Sequence, residues 1–390
     1  MRPLVFLNSH PIQYFAPLYQ QINAVTDISL TVLYCSDESI QGKLDRGFGT
    51  EVKWDIPLLE GYNSIFLKNI SWKPSIHKGF WGLLNPAVIS FLYKQPQSVI
   101  VIHGWAYSTN ILAIIFGRIF GHTVCLRAET PLNQELKKNK LLTRVKHIYL
   151  RFLFLFVNRF MYIGEQNKLF YRALGIKENK LLFVPYAIDN NRFRKMHTAI
   201  SKNDARKSLN LPPEKKIILY SGKYIYKKRP LDLLKAFHQM ADNSNALLLM
   251  IGDGECRPEM ETYINENKLG NSVVLTGFIN QSQIPLYYQS ADVFVMCSGL
   301  GETWGLSVNE AMNFGLPVIV SDTCGSAYDL VENNINGAVF ETGNIRQLAT
   351  LLQQYIQKSA DVFTGIESAA FKKIDQYSYD KIITAIQSIL

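Results

Sequence analysis

Two carboxylates, Glu302 and Glu310, stand eight positions apart. Glu302 lies in the glycine-bearing stretch Ser298-Gly299-Leu300-Gly301-Glu302-Thr303-Trp304-Gly305, and a helical pattern opens at Leu306. A helix start presents unpaired N–H groups and partial positive charge, which suit phosphate oxygens. Two carboxylates in the path of a phosphate repel it. They fit neutral hydroxyls instead, because one carboxylate can accept two O–H bonds side by side. The plain alternative is a pair of solvated acids near a helix start, where the dipole favours them.

A second constellation reads Tyr220-Ser221-Gly222-Lys223-Tyr224-Ile225-Tyr226-Lys227-Lys228-Arg229-Pro230. Here a strand ends, a basic loop follows, and Pro230 sits in the first turn of a helix. Four cations without a neighbouring acid predict an anion site, with Lys223 and Lys228 as diphosphate ligands. A solvated basic loop is the alternative. Gly252-Asp253-Gly254 and Gly277-Phe278-Ile279 are turns where a nucleobase could lie against backbone.

These loops need strands and helices to hold them. Buried-type apolar runs fall at residues 3–8, 29–34, 98–103, 123–127, 160–163 and 181–185. They restart at 216–221, 246–251, 272–276, 292–296, 317–321 and 337–340. Runs without alternation are the pattern of parallel strands covered on both faces. Helical patterns between them include 15–25, 107–120, 136–156, 230–241, 258–268, 281–290, 306–314 and 344–356. A last helix at 379–390 follows a loop. Residues 40–75, with Asp45-Arg46-Gly47-Phe48-Gly49, read as an ordered insertion loop, and 189–213 as the interdomain connection. Two successive βα runs predict an α/β protein of two Rossmann-like doubly wound domains facing across a cleft, with ligands at the carboxyl ends of the strands.

The 390 residues are 47% hydrophobic and 19% charged, which excludes a disordered or collagen-like chain. Net charge is +9. Seven Lys and Arg and no acid lie between Lys137 and Arg159. Five scattered cysteines without CxxC spacing read as buried free thiols in a reducing compartment. The N-terminal apolar stretch is too short for a signal peptide, and residues 96–117 read as strand, loop and helix rather than a membrane span.

Together the motifs resemble a family-4 retaining glycosyltransferase of the GT-B fold. They are Gly222-Lys223, Lys228-Arg229-Pro230, Gly252-Asp253-Gly254, Thr276-Gly277-Phe278, Gly301-Glu302-Thr303-Trp304-Gly305-Leu306 and Asn309-Glu310-Ala311-Met312, then Gly315-Leu316-Pro317-Val318-Ile319. The N-terminal half is similar to a bacterial subgroup beginning His-Pro-Ile-Gln-Tyr, here residues 10–14. The resemblance implies an acceptor-side domain over 1–195, a nucleotide-sugar domain over 196–375 and a helix at 376–390 returning to the first. It implies that Glu310 holds ribose hydroxyls and Glu302 the hydroxyls of the donor sugar. Lys223 and Lys228 hold the diphosphate with Thr303, Trp304, Gly305 and Leu306, and Gly254, Phe278 and Ile279 frame the base. On the acceptor side His10, Gln13, His103, Arg127 and Glu129 are candidates. Relatives carry a double-glycine loop where His10–Tyr14 stands here, and many carry a His where this chain has Arg127-Ala128-Glu129.

The implied reaction is hexosyl or N-acetylhexosaminyl transfer from a nucleotide-diphosphate sugar, with a UDP-sugar favoured over a GDP-sugar. The acceptor is a glycan or lipid-linked glycan of bacterial cell-surface polysaccharide assembly (lipopolysaccharide, capsule or exopolysaccharide). No cofactor, metal or nucleic acid is expected; the chain lacks an Asp-x-Asp metal handle. The place implied is the cytoplasm, peripheral at the inner face of its membrane. The basic segment 137–159 is either a core helix with a solvated basic face or an edge lying on anionic lipid. A sugar-nucleotide epimerase of similar fold and a non-catalytic nucleotide-binding subunit are the competing readings.

Overall fold

The computed structural model describes residues 2–42, 44–45 and 47–390. Its contacts divide the chain into two compact units. The first comprises Met1–Lys43, Ile56–Tyr186 and Tyr379–Leu390, and the second Leu44–Asp55 and Ala187–Ser378. The second unit thus takes a piece from inside the first half of the sequence.

The strands in chain order are β1 Leu4–Asn8, β2 Leu30–Tyr34, β3 Leu44–Asp45, β4 Thr50–Glu51, β5 Asn63–Phe66, β6 Val99–His103, β7 Thr123–Arg127, β8 Arg159–Tyr162 and β9 Leu181–Phe183. There follow β10 Lys216–Ser221, β11 Ala246–Ile251, β12 Val273–Leu275, β13 Val293–Met296, β14 Val318–Ser321 and β15 Gly337–Phe340. One sheet has the order β5-β2-β1-β6-β7-β8-β9 and the other β12-β11-β10-β13-β14-β15. Among the described residues every strand pairing in both is parallel. All five residues of β1 and all six of β11 are buried, as helices on both faces require. In each sheet the chain runs outward from a central strand, then crosses to its other side. The strand order therefore reverses between β1 and β6, and between β10 and β13. Those are the positions where open α/β sheets hold ligands.

The structure departs from the sequence reading in three places. Residues 40–75 are not all loop. They hold the β3–β4 hairpin and β5, an edge strand that buries none of its four residues fully and so gives no apolar run. Arg46 lies outside the described residues. The expected connection at 189–213 folds into helices Asn190–Ala199 and Lys202–Ser208, with Asp189 and Ser201 as N-caps accepting from Arg192 N and Asp204 N. The loop expected before the last helix is itself a helix, Ala360–Ile374. The last helix, Tyr379–Gln387, packs within the first unit, where the Tyr379 hydroxyl donates to Tyr14 O at 2.7 Å. All five cysteines are free and buried.

Candidate functional site

At the order reversal of the second sheet, β10 leads into Gly222-Lys223 and β13 leads into residues 297–305. The helix Leu306–Met312 opens at Gly305, whose φ of 95° is left-handed backbone that favours glycine. A Cβ there would lie 2.8 Å from Cys324 Sγ and closer still to Met296 Sδ. This turn tucks Trp304 inward at 2% exposure, where Nε1 donates to Asn309 Oδ1 at 2.8 Å. The carbonyl of Thr303 packs on Gly325, and half-buried Leu306 opens the helix. Glu310 is 1% exposed and accepts from the Tyr288 hydroxyl at 2.7 Å. Glu302 is also buried, in ion-pair contact with Lys228.

The expectation of four cations without an acid does not hold in space. Lys223 Nζ lies 2.7 and 2.9 Å from the two Asp45 oxygens, Lys228 meets Glu302, and Arg229 Nε lies 2.6 Å from Asp232. Lys227 Nζ donates to Gly301 O at 3.1 Å. The partners come from 178, 74 and 3 positions away. Only the last of these acids stands near the loop in sequence. Burial pushes the Asp45 carboxyl up, but the Lys223 ammonium and the amides of Gly47 and Phe48 hold it below its ordinary range.

Asp45 belongs to a segment the sequence reading did not single out as functional. Residues 44–55 lie over the loops expected to frame a base and a diphosphate. Lys223 Nζ sits 4.7 Å from the Phe48 ring centroid, and Phe278 packs edge-on against Phe48 at 4.8 Å and Trp54 at 6.1 Å. Gly254, at φ 148°, lets the Gly47 carbonyl approach: a Cβ there would meet it at 2.6 Å. The Ser282 amide donates to Asp55, and Asn280 Nδ2 to Lys53 O at 2.7 Å. Ile279 between them is half-buried. The sequence signals that this segment is ordered are the stretch Asp45–Gly49 and the run Trp54–Tyr62.

The first unit gathers its candidates at its own reversal point. His103 ends β6 and is register partner to Arg127, the end of β7. Phe15 packs edge-on to His103 at 4.6 Å, and the Arg127 guanidinium lies 5.0 Å from the Phe15 ring and 4.7 Å from that of Tyr186. Arg127 is 4% exposed and reaches Glu129 at 3.4 Å through Nη1, while its Nη2 and His103 Nε2 are buried without a hydrogen-bond partner among the described residues. Burial, then the Arg127 charge, holds His103 well below its ordinary pKa, so it is neutral at pH 7. His10 Nδ1 is 2.9 Å from Ser9 Oγ. Burial, then His77, lowers its pKa to about 4. Gln13 is half-buried.

Residues 201–372 match the family model described as Glycosyl transferases group 1. Among relatives, an alpha-monoglucosyldiacylglycerol synthase of Acholeplasma laidlawii is 27% identical over 219 residues, 53% of this chain and 54% of that one. The N,N'-diacetylbacillosaminyl-diphospho-undecaprenol alpha-1,3-N-acetylgalactosaminyltransferase of Campylobacter jejuni is 25% identical over 256 residues, 65% of each chain. The chain spans about half the length of the first curated relatives it matches. Among solved structures, Anabaena Alr3699/HepE in complex with UDP and glucose superposes with a TM-score of 0.74 at 17% identity, covering 100% of this chain and 99% of that one. The fold is the GT-B arrangement of two parallel-sheet Rossmann-like domains, and residues 201–372, under half of the chain, are similar to the group 1 glycosyl transferases.

Proposed function

We propose that this chain moves a sugar from a nucleotide-diphosphate donor, a UDP-sugar in first preference, to an acceptor hydroxyl with retained anomeric configuration. The observation that carries the reading is the order reversal of the second sheet, where Lys228 meets Glu302 and Gly305 opens the helix that buries Glu310. All four lie inside the stretch matched to group 1 glycosyl transferases. Glu310 takes the ribose hydroxyls and Glu302 those of the sugar. Phe278, with Gly254 and Ile279, frames the base. As the bond to the anomeric carbon breaks, charge grows on the diphosphate, and Lys223 and Lys228 stabilise it with the amides of residues 304–306. Both lysines are held by carboxylates in the free protein, so the diphosphate exchanges with acid oxygens already oriented there. With two ammonium groups in that role, turnover persists in EDTA.

His103, Arg127 and Glu129 serve the acceptor, as do His10 and Gln13. Relatives named for making a monoglucosyldiacylglycerol and for transferring a sugar to a diphospho-undecaprenol-linked one support a lipid-linked acceptor. The corresponding role is assembly of a bacterial cell-surface polysaccharide at the inner face of the cytoplasmic membrane. Among the described residues no helix is long and apolar enough to cross a membrane.

Calorimetry with UDP tests the donor site. Wild type binds, and Glu310→Ala loses roughly ten- to hundredfold in affinity, the worth of a hydrogen bond to a charged group. Unchanged affinity overturns the ribose assignment. Mass spectrometry of products from UDP-sugars tests the reaction: an epimerised donor formed without acceptor transfers the case to an epimerase.

A further inference from the structure

The helix Lys140–Leu153 in the first unit buries only Leu150 and Leu153 along its length. Leu141, Val145, Ile148 and Phe152, spaced so as to fall on one stripe, are 59–69% exposed. Leu136, Leu142 and Leu155 extend this surface at 70–73% exposure. A helix of a water-soluble domain turns such a stripe inward. This one turns it out, so the expectation of a core helix with a solvated basic face does not hold.

A second stripe runs beside the first. Lys140, Arg144, His147 and Arg151 each precede a member of the apolar stripe by one position. Together with Leu136 and Ile148 they line a cavity of about 330 Å³. One acid, Glu135, also lines it, but that carboxylate is buried and already held by Lys138 and by Lys146 at 2.8 Å. Among the described residues no carboxylate stands within ion-pair distance of Lys140, Arg144 or Arg151. His147 Nε2 is buried there without a hydrogen-bond partner among the described residues. The cavity therefore has three uncompensated cations and an unpaired ring nitrogen, with an exposed apolar ridge along its rim.

We propose that this cavity and ridge bind a lipid with a phosphate or diphosphate head. The head lies against Lys140, Arg144 and Arg151, and the hydrocarbon follows Leu141, Val145, Ile148 and Phe152. A free inorganic anion leaves the ridge uncovered, and an uncharged lipid leaves the cations unpaired; an anionic amphiphile covers both. Binding at this site is independent of donor chemistry. Only the further role of the lipid, as carrier of the acceptor, rests on the glycosyltransferase reading.

The experiment uses the full chain with UDP at saturation, so that the diphosphate probe cannot enter the donor site. Affinity is measured for farnesyl diphosphate, inorganic diphosphate and farnesol. Farnesyl diphosphate is expected to bind at least about tenfold tighter than either other probe. Lys140→Gln/Arg144→Gln/Arg151→Gln weakens it by at least about tenfold. Ile148→Ser/Phe152→Ser weakens farnesyl diphosphate and leaves inorganic diphosphate unchanged. All five side chains are exposed, and unchanged UDP affinity in both variants shows that the fold survives. Farnesyl diphosphate binding no tighter than inorganic diphosphate, or equally to wild type and variants, overturns the proposal. Loss of UDP binding in the wild type instead strikes the donor-site reading and leaves this one standing.

Discussion

In the second sheet the cations at the order reversal are paired, Lys223 with Asp45, Lys228 with Glu302 and Arg229 with Asp232. In the first sheet the matching position keeps Arg127 Nη2 and His103 Nε2 buried beside Phe15 and Tyr186, without hydrogen-bond partners among the described residues. One edge is neutralised before any ligand arrives. The other leaves polar atoms short of partners at a cost of about 1–3 kcal/mol each. The difference teaches that mutations at the two edges should move stability and turnover in different combinations. On the proposed reaction, the second-sheet edge loses both when one partner is removed, and the first-sheet edge, where Arg127 has only a 3.4 Å contact to the half-exposed Glu129, loses turnover alone.

The largest expected effect is at Lys228. The side chains of Lys228 and Glu302 are 18% and 11% exposed, so Lys228→Ala strands a buried carboxylate. Breaking a buried pair from one side destabilises by about 3–5 kcal/mol. Thermal unfolding should fall accordingly. Donor use of the folded fraction should fall roughly ten- to hundredfold in kcat/KM, for a lost charge-assisted contact of about 1.5–3 kcal/mol. A variant with wild-type melting and wild-type kcat/KM breaks the comparison at its stronger end.

Arg127→Met should behave in the opposite sense. The substitution removes a buried guanidinium whose Nη2 has no hydrogen-bond partner among the described residues, and it strands only Glu129, whose side chain is 32% exposed and stays hydrated. Melting should hold or rise, UDP affinity should stay, and kcat with acceptor should drop about tenfold, one charge-assisted contact. If UDP affinity falls with kcat, Arg127 acts through the donor and the two edges are not distinct in role.

The motifs on the second edge were legible because each sits in one continuous stretch, Lys223 to Pro230 and Ser298 to Leu306. Their partners were not, because Asp45 reaches Lys223 across 178 positions and no local pattern announces it. Strands such as β11, Ala-Leu-Leu-Leu-Met-Ile, were legible because they are covered on both faces. The edge strand β5 was not, since Asn63 and Phe66 are exposed and the apolar pattern vanishes with burial. Helices Asn190–Ala199 and Lys202–Ser208 hid for the same reason: the first buries only Phe193. On the first edge the motif at residues 10–14 was visible. The aromatic box around Arg127 was not, being assembled from Phe15 and Tyr186.

Acid separates the units by window. His10 has its folded pKa lowered to about 4 by burial and then by His77, so the unfolded chain takes the proton first as pH falls. Through His10 the first unit should lose about 1 kcal/mol between pH 6.5 and 5.5, and more towards pH 4, and His103, lowered in the same direction, adds to that loss. Asp45 in the second unit has its folded pKa lowered despite burial, chiefly by Lys223. Its contribution is complete above the unfolded carboxyl value and is lost only as pH falls below about 4. Hydrogen exchange of β1 and β10 amides at pH 7 and 5.5 distinguishes them. Equal loss in both strands, or no rescue of β1 by His10→Gln, removes His10 as the cause.

The smallest effect tests whether pairing on the second edge competes with the donor. Asp45 and Lys223 have side chains 30% and 33% exposed, so their ion pair is worth about 0–1 kcal/mol. A diphosphate that takes Lys223 must first displace Asp45. Asp45→Asn removes that competition and a negative charge while keeping the shape that accepts from the amides of Gly47 and Phe48. UDP affinity should therefore rise, by up to about fivefold, with little change in melting. A fall in affinity has a different meaning: Asp45 then orients Lys223 for the diphosphate rather than occupying its place, and the segment 44–55 is a wall of the donor site. Either sign follows from the same contact, and calorimetry with one variant decides between them.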